Sequence, residues 1–363
     1  MLTWVDVDLN ALRHNFRRLQ ALTGTRVAPV VKANAYGHGL IPVARAITST
    51  GADYLCVARA DEGLALREAG LGCEILVLGY TPPEQALEAV GRDLTLAAFD
   101  LDAIAAYAAA ARTLGRRARL HLKLDTGMAR LGARPEDALA LAAQILGSPD
   151  LALDGLFQHF AASDSTNQTS ARAQLDRFNA VLAGLPRRPR LVHACNSAGA
   201  LTLPAARFDL VRTGIAFYGL SPSDGVPVPA DFRPALAWKA RVTLVKTVPA
   251  GTGISYDHQY VTTGAETLAV VPVGYADGYR RKLGINEVLL GGQRAPVRGR
   301  VCMDQVIVGV SHIPNVRVGD EVVVLGAQGA AALTAEELAR RWGTNNYDVV
   351  SGILARVPRH YRD

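Results

Sequence analysis

The sequence predicts an α/β protein in which an N-terminal (β/α)8 barrel of the TIM type is followed by a smaller, mostly antiparallel β domain. Three observations lead to this prediction. The 363 residues are enough for about two domains. The first part of the chain repeats about eight units, each an apolar run followed by a helix-like segment, over roughly 190 residues. After about Pro234, short β-rich runs separated by Gly and Pro replace that repeat.

The predicted barrel strands are short, almost wholly apolar runs, as expected for parallel strands that are buried on both faces. They are Val27–Val31, Tyr54–Val57, Ile75–Leu78, Leu94–Ala97, Leu120–Leu124, Leu153–Phe157, Leu191–Ala194 and Leu210–Arg212. The clearest helical segments between them are Ala60–Ala69, Pro83–Val90, Leu101–Leu114, Pro135–Leu146 and Ala171–Leu182. Pro82, Asp100 and Gly115 supply start and stop signals. The pattern alone leaves an open, doubly wound sheet as an alternative.

The proline-rich stretch Ser221–Pro234 predicts a linker, so the expected domains are residues 1–234 and residues 235–363. The strands expected in the second domain are Ala240–Val248, Thr267–Val273, Val288–Leu290, Val301–Val310 and Glu321–Leu325. Its one clear helix is Leu333–Trp342. For that helix we expect Thr334 as the N-cap, with Glu337 completing a capping box.

Composition limits the classes of function. The chain has 39 basic and 33 acidic residues, but it lacks a run of five or more Lys and Arg, so we do not expect nucleic-acid binding. An apolar run of about 18 residues is missing, which speaks against a membrane span. The N-terminus lacks the features of a signal peptide, so we expect a cytoplasmic location. The four scattered cysteines predict free thiols, and we expect no metal site.

Polar residues follow the predicted barrel strands at the end where such barrels carry their chemistry. These residues are Lys32, Lys123, Arg130, His159, Asn196, Ser197, Arg212 and Gly214. Each of them alone has a structural explanation, such as a solvated lysine or a capping histidine. Their convergence on one barrel mouth predicts a functional site.

Lys32 is the strongest candidate in this set. A lysine that leaves an apolar strand is partly desolvated, which lowers the pKa of its ammonium group and makes the amine a nucleophile. Tyr36 offers a hydroxyl four residues later, and Gly37 and Gly39 allow tight turns. A reactive lysine combined with phosphate donors on later loops describes a pyridoxal-phosphate site.

The segment Val31–Gly39 (VKANAYGHG) resembles the cofactor-lysine motif of the alanine racemases. The barrel motifs that are similar to the family are Lys123–Gly132 (KLDTGMARLG), His159–Phe160, Asn196–Ser197 and Arg212–Ile215. The similar motifs of the second domain are Ser255–Tyr256, Gly274–Gly278, Arg300–Asp304 and Asn346–Asp348. We find no departure at a position that the family uses for catalysis.

The resemblance implies interconversion of L-alanine and D-alanine with pyridoxal 5'-phosphate, supplying D-alanine for peptidoglycan. It assigns Lys32 and Tyr256 as the two acid/base groups, one on each face of the substrate. It implies that the cofactor is bound by Lys32, Tyr36, His159, Asn196, Ser197, Arg212, Gly214, Ile215 and Tyr347. The substrate carboxylate would meet Arg130 and the backbone of Met303, with Lys123 and Asp304 in support.

The resemblance carries three further expectations. Tyr256 needs nearby cations to act as a base, and the family implies His159 and Arg212 for this purpose. Lys123 is often carbamylated in the family, and the sequence leaves the ammonium and carbamate forms open. Because Tyr256 and Met303 lie in the second domain, the family implies a homodimer with shared active sites. Tyr275 and Asp164 would line the entrance, although a surface role fits Asp164 nearly as well.

Three other classes fit the sequence less well. A pyridoxal-dependent decarboxylase is expected to have a glycine-rich phosphate loop and a late Cys-Glu pair, whereas Cys302 is followed by Met303 and Asp304. A barrel-only pyridoxal-phosphate carrier would lack the second domain and Tyr256. A metal-dependent barrel hydrolase would need clustered His/Asp pairs at strand ends. Activity on serine or other small amino acids stays open.

Overall fold

The structure, a computed structural model, describes all residues from Met1 to Asp363. The chain forms two compact units. The barrel unit consists of Ala11–Ala35 and Leu40–Arg233, and the β unit consists of Met1–Asn10, Tyr36–Gly39 and Pro234–Asp363. None of the helices combines the length and the apolar character that crossing a membrane requires.

The strands are numbered along the whole chain. They are β1 (Thr3–Asp8), β2 (Arg26–Pro29), β3 (Tyr54–Val57), β4 (Glu74–Val77), β5 (Thr95–Ala98), β6 (Ala118–Lys123), β7 (Leu151–Phe157), β8 (Leu191–His193), β9 (Leu210–Thr213), β10 (Leu236–Arg241), β11 (Leu244–Val248), β12 (Gly253–Ile254), β13 (Tyr260–Val261), β14 (Glu266–Val271), β15 (Glu287–Leu290), β16 (Gln293–Pro296), β17 (Val306–Gly309), β18 (Glu321–Gln328), β19 (Ala331–Leu333) and β20 (Arg359–Arg362).

The helices follow the same convention. They are α1 (Leu9–Thr23), α2 (Lys32–Tyr36), α3 (Leu40–Thr48), α4 (Ala60–Glu68), α5 (Pro83–Gly91), α6 (Leu101–Thr113), α7 (Pro135–Gly147), α8 (Thr169–Gly184), α9 (Ser197–Thr202), α10 (Ala335–Trp342) and α11 (Asn346–Ser351). Short 3-10 turns cover Pro204–Ala206, Ile215–Tyr218, Tyr256–His258 and Tyr275–Asp277.

Strands β2 to β9 form a closed parallel barrel. Strands β3 to β8 pair in chain order, and β2 pairs with β9. The amide of Val31 donates to the carbonyl of Cys56 at 2.8 Å, which joins β2 to β3. The amide of Asp209 donates to the carbonyl of Val192 at 3.0 Å, which joins β8 to β9. The predicted barrel is therefore confirmed, and the open sheet is excluded.

All eight predicted barrel strands are present, with ends that shift by at most two residues. The signals at the helix ends act as expected. Pro83 is the first residue of α5, and the carboxylate of Asp100 accepts from the amide of Ala103 at 2.8 Å to cap α6. Gly115 follows α6 with a φ of +61°, a conformation that glycine adopts without strain.

The β unit contains a seven-stranded sheet with the order β16-β15-β18-β10-β1-β20, in which β19 pairs with β18. A second sheet has the order β11-β14-β17. All strand pairs of this unit are antiparallel except β1 with β20. Strand β1 was not predicted from the sequence. It lies in this sheet and not in the barrel. The domain boundary at residue 234 stays a prediction.

Three details of the second domain differ from the expectations. The run Ala240–Val248 is two strands, β10 and β11, and the run Val301–Val310 is extended strand only from Val306. The hydroxyl of Thr334 accepts from the amide of Glu337 at 3.1 Å, so the N-cap is confirmed. The second half of the capping box was wrong, because the Glu337 carboxylate binds Arg294 and Arg341 instead.

Candidate active site

Lys32 begins a turn whose backbone is left-handed. Ala33, Asn34 and Ala35 have φ angles of 53° to 55°, and Tyr36 has a φ of 53°. Such a conformation costs L-residues roughly 1–2 kcal/mol each, so other groups must hold it. Glu62 is one of them, since its Oε1 accepts from the amide of Ala33 at 2.6 Å. The Asn34 side chain is another, and accepts from the amide of Leu40 at 2.8 Å.

The pKa of Lys32 is lowered, first by burial and then by the charge of Arg130, while Glu62 acts in the opposite direction. This agrees with the expectation that Lys32 is desolvated. A lowered pKa increases the fraction of free amine at neutral pH, and the free amine is the form that attacks a carbonyl carbon.

Lys123 ends β6 and is almost fully buried. Its Nζ donates to the carbonyl of Leu78 at 2.8 Å and lies 5.4 Å from the centre of the Phe157 ring. Burial lowers the pKa of Lys123 to about 8, and the charges of Arg212, Arg130 and Lys32 add to that effect. Lys123 therefore has a substantial free-amine population near neutral pH.

The same positive charges act on His159. Burial holds the pKa of His159 well below its usual value, and Arg212, Arg130, Lys32 and Lys123 lower it further. The barrel unit thus brings together these five residues, all of which were expected at the barrel mouth. The carboxylates that oppose these shifts are Glu62 at Lys32 and Asp125 at Lys123. The cluster carries an excess of positive charge, which favours anionic ligands.

Arg130 is presented by a loop that Asp125 organises. One carboxylate oxygen of Asp125 accepts from the amides of Gly127, Met128 and Ala129 at 2.9–3.0 Å, and the other accepts from the amide of Arg130 at 3.2 Å. Burial opposes the ionised form, but these four bonds together lower the pKa of Asp125. Arg130 itself is exposed. Its planar guanidinium group is suited to binding a carboxylate in two-point fashion.

Arg212 is a buried guanidinium group with neutral hydrogen-bond partners. Nη1 donates to Nδ1 and the carbonyl oxygen of His193 at 2.6 and 3.1 Å. Nη2 donates to the carbonyls of Gln158 and Ala194 at 2.7 and 3.2 Å. Its Cζ lies 5.3 Å from the centre of the Phe157 ring. The four bonds use only the terminal nitrogens, which leaves the Nε–H group for another acceptor. A buried charge without a counter-ion is costly unless a ligand supplies one.

The side chains of Asn196 and Ser197 organise the starts of two short helical segments. The Asn196 side chain caps α9 by accepting from the amide of Gly199 at 2.9 Å. The Ser197 hydroxyl accepts from the amides of Gly214 and Ala216 at 2.9 and 3.2 Å. Ser197, Gly214 and Ile215 are thereby brought together. The Ser197 hydroxyl can still donate its own hydrogen, and the amide of Ile215 is not among the groups that bind this hydroxyl. These two groups can therefore donate to a phosphate, and a phosphate could replace Ser197 as the acceptor of the Gly214 amide.

The β unit holds the other predicted site residues. Tyr256 is 62% exposed and Met303 is 52% exposed, although both are large and mainly apolar. Tyr256 lies in a constrained loop, because Ser255, Asp257 and His258 all have positive φ angles. Arg300 forms an ion pair of 2.9 Å with Asp257. The side chains of Tyr256 and Met303 are therefore accessible to a ligand or to another chain.

Three other predicted site residues of the β unit, Asp304, Tyr36 and Tyr347, have side-chain partners within that unit. Asp304 pairs with Arg356 at 2.9 Å, and Arg356 also reaches the buried Asp277 at 3.0 Å. The rings of Tyr36 and Tyr347 lie with their centres 6.1 Å apart. The two tyrosines that the family assigns to the cofactor therefore lie side by side.

The residues of this site that were not predicted are Glu62, Asp125, Phe157, His121 and His193. The observed histidine partner of Arg212 is His193. The expected action of His159 and Arg212 on Tyr256 stays a prediction. An Asp followed by Thr126 and Gly127 is a turn signal that points to the role of Asp125.

Comparison with known proteins gives consistent results over the whole chain. Residues 7–222 match the family "Alanine racemase, N-terminal domain", and residues 235–361 match "Alanine racemase, C-terminal domain". The alanine racemase of Desulfovibrio desulfuricans is 46% identical over 99% of this chain and 97% of the relative.

Solved structures agree with this assignment. An alanine racemase of Clostridium difficile 630 has a TM-score of 0.95 at 36% identity and covers 100% of this chain and 96% of its own. The alanine racemase of the D-cycloserine-producing Streptomyces lavendulae has a TM-score of 0.94 at 40% identity, with 100% and 97% covered.

Proposed function

The chain belongs to the alanine racemase family, and on that premise we propose that it interconverts L-alanine and D-alanine with pyridoxal 5'-phosphate by a two-base mechanism. The observation that carries this proposal is the cationic cluster at the barrel mouth, where Lys32 has a lowered pKa and Arg212 has only neutral partners. In a bacterium, the D-alanine produced would serve peptidoglycan synthesis.

The residues present fit pyridoxal phosphate. Lys32 offers an amine to the aldehyde, and the free Nε–H of Arg212 suits the ring nitrogen, which can only accept when it is unprotonated. Ser197, Gly214 and Ile215 suit the phosphate, with the hydroxyls of Tyr36 and Tyr347 as further donors. His159 and Asn196 complete the proposed set. When bound, the cofactor supplies the electron sink that removal of the Cα proton requires.

The chain's own residues then bind the substrate and move a proton. Arg130 and the backbone of Met303 would bind the substrate carboxylate and orient its Cα–H bond, with Asp304 in support. Lys32 would remove or return the proton on one face of Cα, and Tyr256 would do so on the other. Because one residue removes the proton from one face of Cα and the other returns a proton to the opposite face, the configuration at Cα is inverted and the reaction can run in both directions.

We further propose a homodimer in which Tyr256 and Met303 of one subunit complete the site of the other. The exposure of both side chains supports this, because it leaves them accessible to a second subunit. A twofold dimer would generate two identical composite sites.

Lys123 is proposed to support Arg130, as an ammonium ion or as a carbamate. A pKa of about 8 provides the free amine that reacts with carbon dioxide. The carbamate form would be an anion beside Arg130 and would orient that guanidinium group by charge. Carbon-13 NMR in labelled bicarbonate tests this, since the carbamate carbon of wild type has to be missing in Lys123→Met.

The first experiment tests the reaction. The purified protein is incubated with pyridoxal phosphate, its visible spectrum is recorded, and both alanine enantiomers are assayed for racemisation. Borohydride reduction followed by peptide mapping locates the modified lysine. We expect a coloured protein, labelling at Lys32, and the same final ratio of enantiomers from either side. A colourless protein without labelling at Lys32 refutes the proposal.

The second experiment tests the shared site. Lys32→Ala and Tyr256→Phe are each expected to be inactive. After the two variants are unfolded together and refolded, half of the dimers contain one of each chain. Each such dimer has one intact composite site, so the mixture recovers about a quarter of wild-type activity. Sites built within single subunits would recover none.

A further inference from the structure

The barrel interior contains polar side chains at positions that branched apolar residues usually fill. Tyr54 on β3, His121 on β6 and His193 on β8 are all fully buried. Burying such groups is unfavourable unless they form hydrogen bonds. Their arrangement therefore requires an explanation beyond packing.

The hydrogen bonds of this interior group run in one direction. Because a guanidinium group can only donate, the 2.6 Å contact between Nη1 of Arg212 and Nδ1 of His193 makes Nδ1 the acceptor. A neutral imidazole that accepts at Nδ1 carries its proton on Nε2. Nε2 of His193 lies 2.8 Å from Nδ1 of His121, so His193 donates and His121 accepts.

His121 is the next residue in this chain of donors. His121 must carry its proton on Nε2, which lies 3.3 Å from the hydroxyl oxygen of Tyr54 and 3.7 Å from Oδ2 of Asp154. Both histidines are neutral. Burial followed by the charge of Arg212 lowers the pKa of His193, and burial lowers the pKa of His121 although Asp154 opposes that shift.

Two local features of the strands place Asp154 and His121 in this arrangement. The register between β6 and β7 slips, so that Leu120 pairs with Leu153 and His121 with Gly155, leaving Asp154 as an extra residue. Such a bulge redirects a side chain. A Cβ atom on Gly155 would lie 2.5 Å from three atoms of the His121 ring, so only glycine leaves room for the imidazole.

Asp154 is in turn held by Arg190. Nε and Nη2 of Arg190 donate to the two carboxylate oxygens of Asp154 at 2.9 and 2.7 Å, and the same guanidinium group binds Glu74. Burial opposes ionisation, but the hydrogen bonds from Arg190 and the neighbouring His121 ring lower the pKa of Asp154. A fixed negative charge thus lies at one end of the chain of donors and a fixed positive charge at the other.

We propose that His121 and Asp154 are positioning residues for Arg212. They fix the tautomer of His193, so that the Nδ1 lone pair of His193 holds Nη1 of Arg212. The Nε–H group of Arg212 is then left for the cofactor. This inference rests on the proposed function, because the ligand of that N–H group is the proposed cofactor. Neither residue contacts the reacting atoms. They act through His193 and Arg212.

The test measures tautomers and kinetics in the holoprotein. Nitrogen-15 NMR of histidine-labelled wild type is expected to show His121 and His193 neutral and protonated on Nε2 from about pH 6 to 9. Asp154→Asn removes the charge without changing the size of the side chain. Gly155→Ala displaces the His121 ring. In both variants we expect altered His193 signals and a fall in kcat of roughly 10-fold to 100-fold, the range seen when groups that orient metal-bound histidines are removed. KM for alanine is expected to change less than kcat.

Asp150→Asn is the matched control. It removes another carboxylate at the amino end of the barrel, where Asp150 pairs with Arg112 at 2.9 Å, and is expected to leave the His193 signals and kcat unchanged. Protonation of His193 on Nδ1 in wild type overturns the inference, and so do wild-type signals and kcat in both test variants. A wild-type protein that neither binds pyridoxal phosphate nor racemises alanine refutes the proposed function instead. The tautomers of wild type then still decide whether the donor chain exists, even if a variant fails to fold.

Discussion

Substitution of Gly274 by alanine is expected to damage the proposed substrate site from outside it. A Cβ atom at this position would lie 2.0 Å from the carbonyl oxygen of Met303, 2.3 Å from its carbonyl carbon and 2.5 Å from the carbonyl oxygen of Cys302. The φ angle of Gly274 is −142°, which any residue adopts, so the effect is purely steric. The atoms in conflict belong to the backbone and cannot move aside as a side-chain end would.

The size of the effect follows from the required movement. An ordinary contact of 3.4 Å requires the Met303 backbone to retreat by more than 1 Å. Two hydrogen bonds oppose this, from the amide of Tyr275 to Cys302 at 3.1 Å and from the amide of Ala276 to Met303 at 3.0 Å. Losing them costs about 1 kcal/mol each, and overpacking adds about 1–3 kcal/mol. Moving a substrate contact by about 1 Å lowers kcat/KM by roughly 100-fold.

The assay is racemisation kinetics together with denaturant unfolding. Gly264→Ala is the control, because a Cβ atom there meets nothing within 4 Å. We expect Gly264→Ala to behave as wild type, whereas Gly274→Ala loses stability and its KM for alanine rises. If Gly274→Ala has wild-type kinetics and stability, the assigned role of the Met303 backbone is wrong.

Three other predictions concern single side chains. Asp125→Ala removes the acceptor of four amides, so KM for alanine is expected to rise about 10-fold through disorder of the Arg130 loop. Asp125→Asn keeps one acceptor oxygen and is expected to show a smaller rise in KM. The pKa of Lys123 is about 8 in the folded state, against the ordinary lysine value of 10.5 in the unfolded chain. Between these two pH values the unfolded chain binds more protons than the folded protein, so the free energy of unfolding rises with pH there. In carbon-dioxide-free buffer, wild type should therefore gain about 3 kcal/mol relative to Lys123→Met between pH 8 and 10.5, and a constant difference would contradict the free-amine assignment. Thr334→Ala is expected to lower the free energy of unfolding of the β unit by about 1 kcal/mol with unchanged racemisation, and a loss of activity would show that this cap does more than stabilise α10.

The barrel strands could be predicted because strands that are buried on both faces have no need of polar residues, and Tyr54–Val57 was located to the residue. The second domain was harder, because its strands have one buried face and pair with distant segments. The apolar pattern Val301–Val310 continues through the loop that carries Met303, and nothing in Thr3–Asp8 indicates that its partners are β10 and β20.

Some residues of the candidate site could be predicted from the sequence and others could not. Lys32 and Arg212 stood out because strand ends are where barrels carry their chemistry. His121 was missed, although it precedes Lys123 by two residues on one strand and therefore shares its face. Whether that face meets another histidine depends on β8, which is remote in sequence, and so the partner of His121 could not be predicted.

Two arginines of the barrel unit show why the carboxyl ends of the strands are the functional ones. Arg190, at the amino end, is partly exposed and binds both Asp154 and Glu74, as expected for a group that contributes to stability. Arg212, at the carboxyl end, is buried and has only neutral acceptors. If stability alone determined its surroundings, a carboxylate would be expected beside it, because an unpaired buried charge is unfavourable. Placing one there would also neutralise the positive charge that attracts a phosphate and a substrate carboxylate. The unpaired charge of Arg212 is therefore a stability cost that the phosphate of the proposed cofactor and the substrate carboxylate would partly offset by charge.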